Sequence, residues 1–144
     1  MGASDRHFVL CPGFMNDRAL WDRVARNLGA LGDIHFADTA QEDTIEGMAA
    51  RALADAPETF IAVGFSMGGY MAQEMAARAP GRIRGLVLMN TSARPCRPDN
   101  LKRNRHLITL TKSQGLLGLF KPAVVKAVHP DRRGTTRSSA GSSP

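Results

Sequence analysis

At 144 residues the chain is about one domain and long enough to bury a real core. Its 43% hydrophobic and 22% charged residues are the balance of a soluble globular protein. No apolar run approaches the ~20 residues that span a bilayer, which excludes a helical membrane protein. The net charge of +6 is unevenly spread: residues 1–93 carry 8 Lys/Arg against 11 Asp/Glu, whereas residues 94–144 carry 11 Lys/Arg against Asp99 and Asp131 only.

The chain opens on Met1-Gly2-Ala3-Ser4-Asp5-Arg6, which lacks the layout of a signal peptide; a myristoylation signal would want Ser or Thr where Arg6 stands. His7-Phe8-Val9-Leu10-Cys11 reads as a buried strand ended by Pro12-Gly13. After the loop Phe14–Arg18, a helix is expected over Ala19–Leu28, with Leu20, Trp21, Val24, Ala25 and Leu28 on its apolar face. Ile34–Ala37 is a second, short strand. Asp43-Thr44-Ile45-Glu46 has the spacing of a capping box and opens a helix through Ile45, Met48, Ala49, Ala52 and Leu53, stopping before Pro57. Phe60–Val63 is a third strand, a helix follows to about Ala79, and Ile83–Met89 is a fourth strand.

Apolar strands that alternate with helices call for a parallel sheet covered on both faces. Right-handed crossovers then make the fold class α/β and doubly wound, with ligands beyond the C-terminal ends of the strands. Ser66 and the Pro12-Gly13-Phe14 loop both fall at such ends. Beyond Asn90 the pattern changes. Thr91–Asn100 is loop-like, Leu101–Lys112 suits a basic helix, and Leu116–Val128 is apolar but interrupted at Pro122. Arg132–Pro144 holds three Arg, four Ser, two Thr and two Gly, so it should be disordered. The expected organisation is a core over 1–93, a helical lid segment over 94–131 and a tail over 132–144.

Gly64-Phe65-Ser66-Met67-Gly68 is a G-x-S-x-G sequence set between a strand pattern and a helix pattern, with a further glycine at Gly69. A serine on so tight a turn needs small neighbours two positions to either side, because strand and helix close on each other there. The turn pushes the hydroxyl outward, near the free N–H groups of the helix N-terminus. The plain alternative is a serine that merely caps the helix.

Three stretches together resemble the α/β-hydrolase superfamily, in particular its small esterase-like and lactonase-like members, over residues 6–131. Leu10-Cys11-Pro12-Gly13-Phe14 with Leu20-Trp21 looks like the family's strand, oxyanion loop and first helix. Gly64–Gly69 looks like its nucleophile turn, and Arg82–Leu88 with Asn90-Thr91 like the next strand and its exit. The resemblance implies that Ser66 is the nucleophile and that the backbone N–H groups of Met67 and Phe14 form the oxyanion hole. Phe65 and Met67 flank the turn and would line the acyl pocket, although apolar packing is the more frequent fate of such side chains.

The same resemblance places an acid and a histidine after the serine, on loops beyond the lid. Four histidines are available. His7 and His35 precede Ser66 and read as structural, His106 lies on the basic helix, and His129 matches a lid-end position. Asp99 and Asp131 are the only carboxylates after Glu74, and neither follows a strand; Asn90-Thr91 is neutral. The expectation is the N-terminal part of a serine hydrolase, truncated and inactive as it stands, whose sheet ends on an unpaired apolar edge at Leu86–Met89. A non-catalytic binding protein built on the same fold is the alternative, and a basic anion-binding module a third.

Cys11 and Cys96 fit no metal spacing, and neither G-x-G-x-x-G nor a P-loop occurs, so no cofactor is expected. A small ester-like molecule is the expected partner, without nucleic acid or membrane, and the expected compartment is the cytoplasm. Oligomerisation is left open.

Overall fold

The computed structural model describes residues 5–94 and 97–115. The chain divides into two compact units, over 1–94 and 95–144. The first contains β1 (His7–Cys11), a 3₁₀ turn at Arg18–Trp21, α1 (Asp22–Leu28), β2 (Asp33–Phe36), α2 (Ile45–Asp55), β3 (Phe60–Phe65), α3 (Met67–Arg78) and β4 (Ile83–Met89). All strands are parallel, in the order β2-β1-β3-β4. The chain steps from β1 to β2 on one side and returns to β3 on the other. The loops after β1 and β3 are thereby neighbours at the point where the winding reverses.

Side-chain alternation along each strand divides the core in two. Val9, Cys11, Phe60 and Ala62 face α2 and α3, where they meet Met48, Ala49, Ala52, Met71, Ala72 and Met75. Phe8, Leu10 and Val63 face the other way, against Trp21 with Ala25 and Leu28 of α1. The sheet is thus covered on both faces, as its apolar strands require.

Local chemistry moves several boundaries. The helix expected from Ala19 begins as a 3₁₀ turn, because the Asp17 carboxylate caps the Ala19 N–H at 2.9 Å and tightens the first turn. Leu20 and Val24 remain 38% and 40% exposed, and the packing on this side comes from Trp21 of the 3₁₀ turn with Ala25 and Leu28 of α1. β2 lies one residue earlier than expected. At α2 the cap is Thr44 rather than Asp43: its hydroxyl accepts from Gly47 N–H at 3.0 Å. β3 continues to Phe65, directly into the serine turn.

Opposite Phe60 and Ile61, β4 supplies Ile83 and Gly85, leaving Arg84 as an extra residue in the ladder. This bulge switches the faces. Before it Ile83 packs on the α2 and α3 side, and after it Met89 packs on the α1 side. Among the described residues β4 is an edge, and Leu86, Val87 and Leu88 are 40%, 43% and 41% exposed. Within the second unit, α4 (Pro98–Gln114) starts three residues before the expected helix, since proline is well suited to a first turn. The segments expected at Leu116–Val128 and Arg132–Pro144 lie outside the described residues. No described helix is long and apolar enough to cross a membrane.

One side chain ties the bottom of the sheet together. Arg82, just before β4, donates to the carbonyl oxygens of Leu53 (2.9 Å), Ala56 (2.8 Å), Pro57 (2.8 Å) and Glu58 (3.1 Å). Its guanidinium also stands 5.7 Å from the Phe60 ring centroid. This one cation satisfies the Leu53 carbonyl in the last turn of α2, the carbonyl of its C-cap Ala56, and two carbonyls of the segment that follows. Arg82→Ala is expected to lower stability by roughly 2–4 kcal/mol, as fits several charged hydrogen bonds lost together. Arg82→Lys should recover only part, since an ammonium cannot serve four acceptors in a fork. Urea denaturation midpoints of the three chains check this.

Candidate active site at the serine turn

Ser66 joins β3 to α3 with φ 52° and ψ −114°, a backbone conformation that residues with a Cβ seldom adopt. Its N–H donates to the Met89 carbonyl of β4 at 2.9 Å, and its own carbonyl accepts from Gly69 N–H at 3.0 Å. Ser66 occupies the N-cap position of α3, yet its hydroxyl makes no capping bond. A serine kept for capping would use its oxygen on the helix. This one does not.

The flanking glycines are demanded by close approach. A Cβ on Gly64 would run into the Gly68 carbonyl and come within 2.6 Å of Gly69 Cα. A Cβ on Gly68 would overlap the Cys11 carbonyl and come within 2.6 Å of the Pro12 carbonyl oxygen. The first turn of α3 therefore lies directly on the end of β1. That contact brings the Pro12-Gly13-Phe14 loop and the Ser66 turn to one place.

The loop after β1 is a four-residue turn, closed by Asn16 N–H on the Gly13 carbonyl at 3.1 Å, with Met15 at φ 59°. Gly13 lies against the Phe65 ring: a Cβ there would stand 3.0 Å from its Cδ1. Phe14 is 57% exposed at the turn's second position. Phe65 packs into the α1 side of the core, and Met67 against the α2 and α3 side.

Within the first unit, His7 and His35 lie away from the serine turn. His7, at the opposite end of β1, has its Nδ1 3.4 Å from His35 Nε2 and 3.6 Å from the Asp33 carboxylate. His106 is an exposed residue of α4, whose first turn also holds Asp99. His129 and Asp131 lie outside the described residues. Among the described residues no side chain is hydrogen-bonded to the Ser66 hydroxyl, and no group of three His, Cys, Asp or Glu could hold a metal ion.

A cleft of about 180 Å³ opens between the loops after β1 and β2. Leu10, Trp21 and Phe36 make its apolar floor, and Asn16 and Asp17 stand along it. Arg18 lies over the Phe36 ring at 4.3 Å from its centroid. Ser66 is not among its walls. The sequence pattern gave no hint of this cleft, because its lining is assembled from three segments without a common motif. The same holds for Gln73, which donates to the Gly69 carbonyl behind the serine turn.

Gly68→Ala should abolish folding or cost more than about 3 kcal/mol, since the new methyl meets backbone on a fixed strand; a thermal melt checks it. Cys11, fully buried beneath the loop, has its thiol pushed up to about 12 by burial. The thiol ionises in the unfolded chain from its ordinary value near 9.0, but not in the folded one. Stability should therefore be fully present below about pH 9 and fall as pH rises toward 12, at about 1.4 kcal/mol per unit. Cys11→Val should flatten that alkaline slope in denaturation curves.

Comparison with known proteins agrees with this geometry. The family model described as the alpha/beta hydrolase fold matches residues 35–106, half of the chain. A pimeloyl-[acyl-carrier protein] methyl ester esterase of Klebsiella pneumoniae subsp. pneumoniae is 30% identical over 104 residues, covering 67% of this chain and 40% of the relative. A protein of the same description from Salmonella heidelberg is 30% identical over 103 residues, covering 66% of this chain and 40% of its own length. The match thus reaches well under two thirds of either relative. With a parallel sheet wound in both directions and a strained serine turn at its C-terminal edge, the chain belongs to the α/β-hydrolase fold family.

Proposed function

We propose that this chain carries the nucleophile-bearing part of a serine ester hydrolase. The observation behind this reading is Ser66 itself, held at φ 52° with its hydroxyl unused by the helix it precedes. Ser66 Oγ would attack the carbonyl carbon of a carboxylic ester, lactone or thioester and lose its proton to a base. The tetrahedral oxyanion would be received by the N–H groups of Met67, at the start of α3, and of Phe14, in the turn after β1. Collapse would expel the alcohol or thiol, reprotonated by that base, and leave an acyl group on Ser66. Water would then add to the acyl carbon and release the acid.

The base is the missing part among the described residues. A serine without one keeps the poor nucleophilicity of an alcohol. In a well-studied serine protease, loss of the base alone costs about 10⁶ in turnover, with ~10³–10⁴ over water retained by the oxyanion hole and binding. We therefore read the 144 residues, by themselves, as an inactive portion of a hydrolase; their match to only 40% of the curated relatives supports this. The relatives' names make a methyl ester of an acyl chain the first natural substrate class to try. The free Ser66 hydroxyl equally supports a second reading, a protein that binds ester-like ligands without turning them over.

Hydrolysis of short-chain p-nitrophenyl esters by the chain and by Ser66→Ala tests both. Near-background rates in the two are expected, with slow fluorophosphonate labelling confined to Ser66. Serine-dependent turnover at enzyme-like rates would sink the inactive reading and make His129 or a partner chain the place to seek the base. Absent labelling, with ligand binding that survives Ser66→Ala, would replace the hydrolase by the binding protein.

A further inference from the structure

The strained turn at Ser66 is gripped from the side of β4 as well as from β1. Four consecutive residues take part. Met89 accepts the Ser66 N–H at 2.9 Å, and Asn90 turns the chain at φ 49°. Thr91 then fills the notch left by Gly69, where a Cβ would come 2.5 Å from its Cβ, Cγ2 and Oγ1. Ser92 presents its carbonyl to Gln73 of α3.

Gln73 closes the arrangement. Its Nε2 donates to the Gly69 carbonyl at 3.0 Å and to the Ser92 carbonyl at 3.2 Å. Both partners are pure acceptors, so only the NH₂ end of the carboxamide can face them, and both of its hydrogens are used. One side chain thereby joins the first turn of α3 to the strand exit whose Met89 holds the serine. Gly69 completes the circuit, because its N–H donates to the Ser66 carbonyl at 3.0 Å.

We propose that Gln73 with residues 89–92 forms a clasp that holds Ser66 in its strained conformation, Gln73 being a positioning residue that acts through Gly69 and Ser92. A backbone in a sparsely populated region persists only where its surroundings over-determine it. The glycine contacts with Cys11 and Pro12 fix the turn on one side, and the clasp fixes it on the other. The Thr91 hydroxyl is buried there without a hydrogen-bond partner among the described residues.

The catalytic meaning of the clasp rests on Ser66 being the nucleophile; its existence does not. Amide hydrogen exchange, read by NMR on the 144-residue chain, separates the two. In Gln73→Met, of similar length but without donors, the protection of Ser66 and Gly69 should fall about tenfold while Leu10 and Ala62 stay unchanged. Gln73→Glu, which sets acceptor against acceptor, should do the same and stands in if the first variant folds poorly. Unchanged protection at Ser66, or a loss shared equally by Leu10 and Ala62, would overturn the clasp. Failure of a fluorophosphonate to label Ser66 would overturn its role as nucleophile and leave the exchange result standing.

Discussion

The structure depends on one close approach: the first turn of α3 resting on the last peptide of β1. Gly68 has no room for a side chain there, because the Cys11 and Pro12 carbonyls already occupy the space. This contact sets how far α3 tilts toward the sheet, and so the direction in which Ser66 leaves β3. It also makes the loop after β1 a wall of the serine turn. Sheet order adds the rest, since β1 and β3 are neighbours only because the winding reverses between them.

Much of this was legible in the sequence, for a definable reason. Apolar runs closed by turn residues and patterns of period 3.6 are local, and they located all four strands and the helices between them. The glycines at 64, 68 and 69 were legible too, since each records a steric exclusion that no other residue meets. The exceptions are contacts between distant segments. Nothing around Arg82 says that its guanidinium collects carbonyls from Leu53 to Glu58. Nothing around Arg84 says that it is the surplus residue of a bulge. The cap of α2 slipped from Asp43 to Thr44 because both are good caps, and only the path of the chain decides between them.

The candidate site divides in the same way. The G-x-S-x-G turn is a local motif and reads from Gly64 to Gly69 alone. An acid and a base are single side chains that a fold must deliver from elsewhere, and within the first unit His7 and His35 face each other at the opposite end of β1. β4 tells a related story. Leu86, Val87 and Leu88 form the unbroken apolar run of a strand covered on both faces, yet the strand is an edge among the described residues, with all three side chains partly in solvent.

The backbone of Ser66 has an energetic consequence. At φ 52° a glycine would sit without strain, whereas a residue with a Cβ is held there at a cost of about 1–3 kcal/mol. Mutation toward glycine would therefore relax the fold at this position. On stability alone, then, serine is the less favoured residue at position 66, and its presence there is a strain that the rest of the fold has to carry.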